Sequence, residues 1–314
     1  MYEHIAKNRA KTVLIIIGFI FFLSLIGYFI GMYFDYRYGI GSIYSVILMI
    51  FALMVALFAS IGSYYFSDRI VLSMTGAKPV SRDDDPRLYY MVEGLSIAAG
   101  LPVPAIYVVY DQGMNAFATG RNPRNSVIAF TRGLLDNLDD EELKGVISHE
   151  LAHIKNYDIL LGTIIVVLVG LVSIIANIMA RLFFFGGRGR RSSRSSGSGG
   201  ILMIVLLVAG VLFIIISPLI AMIIRMALSR NREYLADSTG ALISRYPPGL
   251  ASALKKISVN SEVRTASSAT AHLFISNPLG EKSRVMFKSL FNSHPPVGER
   301  IDRLNEMSLG ILTK

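Results

Sequence analysis

Residues 149–158 read HELAHIKNYD, and residues 159–180 continue as ILLGTIIVVLVGLVSIIANIMA without a single charge. The first stretch carries groups that bind metal and move protons. The second has the composition of a membrane-crossing helix. Positions four apart share a helix face, so His149 and His153 can each direct a ring nitrogen at one ion. Glu150 lies beside them, close enough to touch a water on that ion without being a ligand. Two neutral imidazoles, an open position and a carboxylate that can take a proton are the working parts of a zinc hydrolase. Zinc lowers the pKa of a bound water to about 7, which makes hydroxide available at neutral pH. The helix also has a defined start. Asp139 is a capping residue, Glu142 follows three positions later, and the run Asp139-Asp140-Glu141-Glu142 suits the positive end of a helix.

Composition places the chain in a membrane. Of its 314 residues 53% are hydrophobic and 17% charged, against a usual charged share of about 25%. Four windows are apolar and free of charge: Thr12–Phe34, Ile43–Phe66, Ile159–Ala180 and Ile201–Ile224. Each is longer than the roughly 18 to 20 residues that cross a bilayer as a helix. The first is too long for a signal-peptide core and is followed by Asp35-Tyr36-Arg37 rather than a small-residue cleavage site, so it reads as a retained anchor. There is no cysteine, which excludes disulfides and thiolate metal sites. The net charge of +9 is local: Arg181, Arg188, Arg190, Arg191 and Arg194 fall in one loop, and Lys7, Arg9 and Lys11 at the start. The remainder is near balance, which argues against a nucleic-acid partner. A transporter or channel needs ionisable groups inside its spans, and the windows contain none.

The expected organisation is a membrane anchor with two transmembrane helices over 1–66, a first half of a protease domain over 67–158, a hydrophobic hairpin over 159–224 with an Arg/Gly/Ser-rich loop at 181–200, and a second protease half over 225–314. No internal repeat is present, and GGRGRRSSRSSGSGG at 186–200 reads as a low-complexity linker. Asp85-Pro86 predicts a helix start, and Gly100 and Pro102 its stop. Short strands are expected at 106–110, 115–119 and 126–131, with Gly120-Arg121-Asn122-Pro123 as the turn between the last two. Helices are expected at 225–244, 249–257 and 297–307. The fold class is α+β and mainly α, with integral membrane helices beside a metalloprotease domain that has a small β-sheet.

Two histidines need a third ligand. A further histidine six residues on, preceded by Gly, is absent, because those positions are Ile159 and Asn156. Glu233 in EYLAD fits instead, on a later helix. Asp237, four residues further, can hold the distal N–H of a histidine. Ala236, Gly240 and Ala241 keep that face small enough for close helix packing. In NSHPPVGERI, His294 precedes two prolines and Arg300 lies in the first turns of the next helix. Either could stabilise the oxyanion of peptide hydrolysis.

HELAH at 149–153, EYLAD at 233–237, NAFATG at 115–120 and SHPPVGERI at 293–301, with two spans before the catalytic helix and a hydrophobic pair after it, together resemble the HtpX family of membrane-bound zinc metalloproteases. The similarity covers nearly the whole chain. It implies a zincin-like domain of the gluzincin type, one Zn2+ per chain held by His149, His153 and Glu233, and Glu150 as base. It implies that NAFATG is an edge strand on which substrate backbone pairs, with Asn115 and Ala116 as substrate-contacting positions. It also implies a role in proteolytic quality control of misfolded membrane proteins under stress. The loop at 186–200 has no counterpart in the family pattern.

The basic residues before the first span predict a cytoplasmic N-terminus and a cytoplasmic active site in a multi-pass inner-membrane protein. HELAH and EYLAD must share one side, so the third and fourth windows either both cross or form a re-entrant or surface hairpin; two crossings are expected from their length. The competing functions are a prenyl-protein-type processing protease, for which four windows are few, and a non-catalytic scaffold that binds lipid through its Arg-rich loop.

Overall fold

The computed structural model describes residues 2–39, 41–171, 230–267, 269–279 and 295–309. The loop at 181–200, the whole fourth hydrophobic window, the end of the third and His294 lie outside the described residues. The chain forms two compact units, one from 1–14, 62–166 and 225–314, the other from 15–61 and 167–224.

In the second unit the described residues are most of α1 (Tyr2–Tyr38), the first part of α2 (Ile43–Thr75) and residues 167–171. Stretches of 27 residues from Ala10 to Tyr36 and of 33 from Ile43 to Thr75 are long and apolar enough to cross a membrane. Small residues let the two backbones meet. A Cβ on Gly27 would lie 2.4 Å from the Leu48 carbonyl oxygen, and one on Gly31 2.3 Å from that of Tyr44. Buried Asp35 then closes the turn, accepting from the Tyr44 and Ser45 amides at 2.7 and 2.8 Å where α2 has no donors' partners of its own.

The first unit is helical around one small mixed sheet. β1 (Lys78–Pro79), β2 (Ala105–Val109), β3 (Ala116–Asn122) and β4 (Asn125–Thr131) lie in the order β1-β2-β4-β3. β2 and β4 are parallel, and β3 pairs antiparallel to β4 and forms the sheet edge. The link between β3 and β4 is tighter than the sequence suggests. Strand β3 runs on through Asn122, and Gly120, at φ +131°, absorbs a shift of register within it. Helix α3 (Pro86–Ala99) is capped by the Asp85 side chain and ends on Gly100 in the left-handed conformation. A short α4 (Arg132–Asn137), capped by Thr131, follows β4.

α5 (Asp140–Lys155) is the central helix. The reciprocal Asp139–Glu142 capping box starts it. Glu142 also accepts from Ser252 Oγ and Lys256 Nζ, both at 2.6 Å, which ties this start to α8 (Pro247–Val259). A buried core of Leu143, Val146, Ile147, Leu151 and Ile154 covers the apolar side of α5 against β3, α3 and α8, and α9 (Val297–Ser308) packs in turn on α8. Glycines carry the closest approaches: a Cβ on Gly145 would lie 2.5 Å from the Leu250 nitrogen. After α5 the chain bends by 83° into α6 (Asp158–Leu171). α7 (Arg230–Ser244) packs along α5 through Ala236, Gly240 and Ala241.

Candidate active site

Helix periodicity places the site. His149, Glu150 and His153 project from α5, Glu233 and Asp237 from α7. The two histidine Nε2 atoms are 3.2 Å apart. Glu233 brings Oε1 to 3.7 Å from His153 Nε2 and Oε2 to 4.0 Å from His149 Nε2. A tetrahedral ion with bonds near 2.0–2.1 Å needs ligand atoms roughly 3.3 Å apart. The observed spacings reach that geometry with small side-chain rotations. Two imidazole lone pairs that face each other this closely repel unless a proton or cation lies between them. Two nitrogens and one carboxylate oxygen form a donor set that suits zinc, and His149, His153 and Glu233 are the metal-capable cluster among the described residues.

The far side of each imidazole is held by a carboxylate. His149 Nδ1 lies 2.9 Å from Asp237 Oδ1, and His153 Nδ1 lies 3.0 Å from Asp158 Oδ2. A proton kept on Nδ1 leaves the Nε2 lone pair for a metal. Asp237 has the position that the four-residue spacing suggests. Asp158 is a site residue that the motif analysis passes over. It closes the HELAHIKNYD stretch, five residues after His153, and a carboxylate just past the helix end was the available signal.

Arg300 reaches the site from α9. It is almost fully buried and points its fork at Asp237, with Nε to Oδ2 at 2.8 Å and Nη2 to Oδ1 at 2.7 Å. Nη1 donates to the Ile275 carbonyl at 3.1 Å. A guanidinium engaged in this way positions the carboxylate behind His149, and its remaining edge faces the ligands themselves: Nη2 lies 3.5 Å from His149 Nε2 and Nη1 3.8 Å from Glu233 Oε2. Asn115 and Ala116 stand at the start of β3. Both are fully buried, and their polar groups hold the chain's own segment at 274–276. Ala116 O accepts from Ile275 N at 2.9 Å, Asn115 Nδ2 donates to Ser276 O at 3.0 Å, and Phe117 forms an antiparallel bridge to Phe274. Asn115 Nδ2 reaches the Ser261 carbonyl as well, at 2.9 Å.

A cavity of about 40 Å³ faces Glu150, His153 and Glu233, with Ala118 and Phe274 among its walls. It is large enough for water and too small for a peptide. Glu150 is buried, and its Oε1 has no hydrogen-bond partner. Burial raises the Glu150 pKa to about 7, the range in which a carboxylate both takes and returns a proton at neutral pH. Burial lowers His149 to about 4 in spite of Asp237. At His153 burial again opposes the charge, but Asp158, Glu233 and Glu150 outweigh it and hold the group up at about 9. Asp237 is held down at about 2, because Arg300 and His149 overcome the cost of burying it.

Paired histidines on one helix, a glutamate from a second and a buried carboxylate between them define a metal-dependent peptidase. The chain matches the model of peptidase family M48 over residues 82–308. It is 43% identical over 312 residues to a protease HtpX homolog of Tropheryma whipplei, covering 98% of both chains. To the HtpX homologs of Thermoanaerobacter pseudethanolicus and Listeria monocytogenes it is 44% and 41% identical, over 98% of its own length and 98% and 100% of theirs. Among solved structures, Ste24p of S. mikatae aligns with a TM-score of 0.47 and 20% identity, covering 82% of this chain and 58% of that one. The chain belongs to peptidase family M48, as an HtpX-type membrane metalloprotease.

Proposed function

We propose that this protease binds one zinc ion per chain through His149, His153 and Glu233 and cleaves misfolded or damaged membrane proteins at the cytoplasmic face of the cell membrane, as part of a stress response. The convergence of three ligand atoms, all within 4.8 Å of one another, beside a cavity that Glu150 enters carries the reading. Zinc held there would polarise the scissile carbonyl and acidify a water. Glu150 takes the proton of the attacking water and returns it to the leaving amine. Asp237 and Asp158 keep the two imidazoles turned to the ion, and Arg300 keeps Asp237 ionised. Substrate backbone pairs with the β3 edge near Ala116 once the segment at 274–276 gives way. Recognition through backbone suits loosened membrane proteins that have lost their own pairing. His294 and Arg300 are the proposed donors to the oxyanion; Arg300 Nη2 stands 3.5 Å from His149 Nε2 while its other contacts hold Asp237.

Metal analysis of purified Glu233→Ala tests the ligand set. Zinc content of about one per chain is expected in the parent protein and much weaker retention in the variant; equal zinc in both would remove Glu233 from the set. Sidedness rests on the basic residues ahead of α1. Thiol-labelling probes placed singly at positions 5, 140 and 310 are expected to react from the cytoplasm and one at 195 from outside. A cytoplasmic 195 would replace two further crossings with a hairpin.

A further inference from the structure

Asp158 has two oxygens, and only one of them is explained by the histidine it holds. The chain leaves α5 at Lys155, turns through Asn156 and Tyr157, and starts α6 at Asp158. Tyr157 takes φ +59°, a left-handed conformation unfavourable for a residue with a side chain, and so gives the sharp bend. That bend brings Asp158 Oδ2 back to His153 Nδ1. The second oxygen, Oδ1, accepts from Asn8 Nδ2 at 2.6 Å, with Arg232 Nη1 3.6 Å away. Asn8 Nδ2 also reaches the Asn156 carbonyl at 3.3 Å, so it spans the turn itself. Asn8 and Asp158 are both buried.

We propose that Asn8 is a positioning residue of the metal centre, acting through Asp158 on His153, so that the first turns of α1 form part of the protease site. A carboxylate held at one oxygen swings freely about its last bond. Asn8 fixes Oδ1 by its hydrogen bond, and the rigid planar group then aims Oδ2 at the imidazole. The ring's tautomer and the direction of its Nε2 lone pair follow. Asn8 stands 145 residues before His153 in the chain and outside the matched family segment of residues 82–308. It is therefore the same helix that enters the apolar stretch from Ala10 that touches the metal ligand's support.

The inference rests on His153 being a zinc ligand, and the test separates the two. Zinc affinity of the full-length protein in detergent is measured by competition with a chromophoric chelator, for the parent, Asn8→Ala, Asp158→Ala and the double variant. Asp158→Ala is expected to weaken zinc binding by about 10- to 100-fold. Asn8→Ala is expected to weaken it by about 3- to 10-fold, at or below the lower end of that range. In the Asp158→Ala background the Asn8 change should add nothing, since its route to the ion is already cut. Undiminished affinity in Asn8→Ala overturns the proposal, and so does an equal loss with and without Asp158, which marks a general structural effect. Asn8→Asp, nearly isosteric, is the second variant should alanine fail to fold. It removes the donor and sets a like charge against Asp158, so its zinc loss should exceed that of alanine; parent-like affinity would sink the idea. A parent protein that binds no zinc would instead sink the zinc assignment from which the inference starts.

Discussion

Glu150→Gln is expected to stop peptide hydrolysis and to leave zinc binding intact. The amide keeps the shape of the carboxylate and cannot take a proton. The lost acid–base catalysis is worth about 100- to 10,000-fold in rate. Zinc retention is expected because the three ligand atoms belong to His149, His153 and Glu233, none of which the substitution touches. The buried Glu150 oxygen without a partner is also relieved of charge, so the variant should be at least as stable as the parent. Zinc content and casein cleavage are measured on the same preparation. Parent-like cleavage with zinc bound would dismiss Glu150 as the base, and loss of both together would make it a ligand or a support of one.

Arg300→Leu is expected to unfold the protein far more easily, by about 3–5 kcal/mol, because it leaves the buried carboxylate of Asp237 without its cation. Asp237 is held at about 2 in the fold, below the roughly 3.9 of an unfolded chain. A depressed carboxylate contributes stability that is complete above the unfolded value and disappears as the pH falls through the folded one. In the parent that contribution should therefore fade between about pH 4 and 2, and in Arg300→Leu it should be missing at neutral pH already. Adding Asp237→Asn should restore part of the stability, since the orphaned charge is then gone. Thermal unfolding in detergent at pH 7 and pH 3 checks all three statements; an Arg300→Leu midpoint equal to the parent's would show that Asp237 finds another partner.

What the sequence discloses about this site is what lies close together along it. His149, Glu150 and His153 are fixed by one helix turn, and the start of that helix by Asp139 and Glu142. Glu233 and Asp237 follow from the same four-residue rule on a second helix. The partners set by tertiary packing were not legible. Arg300 meets Asp237 across 63 residues, and Asn115 meets Ser276 across 161, so neither contact is visible in the local sequence. Asp158 was in plain view, but its role depends on an 83° bend that no periodicity encodes. β1 has two residues and α4 six, too few for either period to show. The parallel pairing of β2 with β4 likewise has no local signature.

At Gly240 a Cβ would come within 3.0 Å of the His149 nitrogen and 3.1 Å of its Cα. The helix that brings the glutamate therefore rests on the helix that brings the histidines, backbone against backbone, at the level of the ligand itself. Side chains can rotate to suit an ion, but a contact of this kind does not yield. It acts as a gauge block, setting the width of the jaw before any ion arrives. A cation content with bonds near 2.0–2.1 Å fits within it. One that asks for six to eight oxygens, as calcium does, meets two imidazole nitrogens and one carboxylate instead.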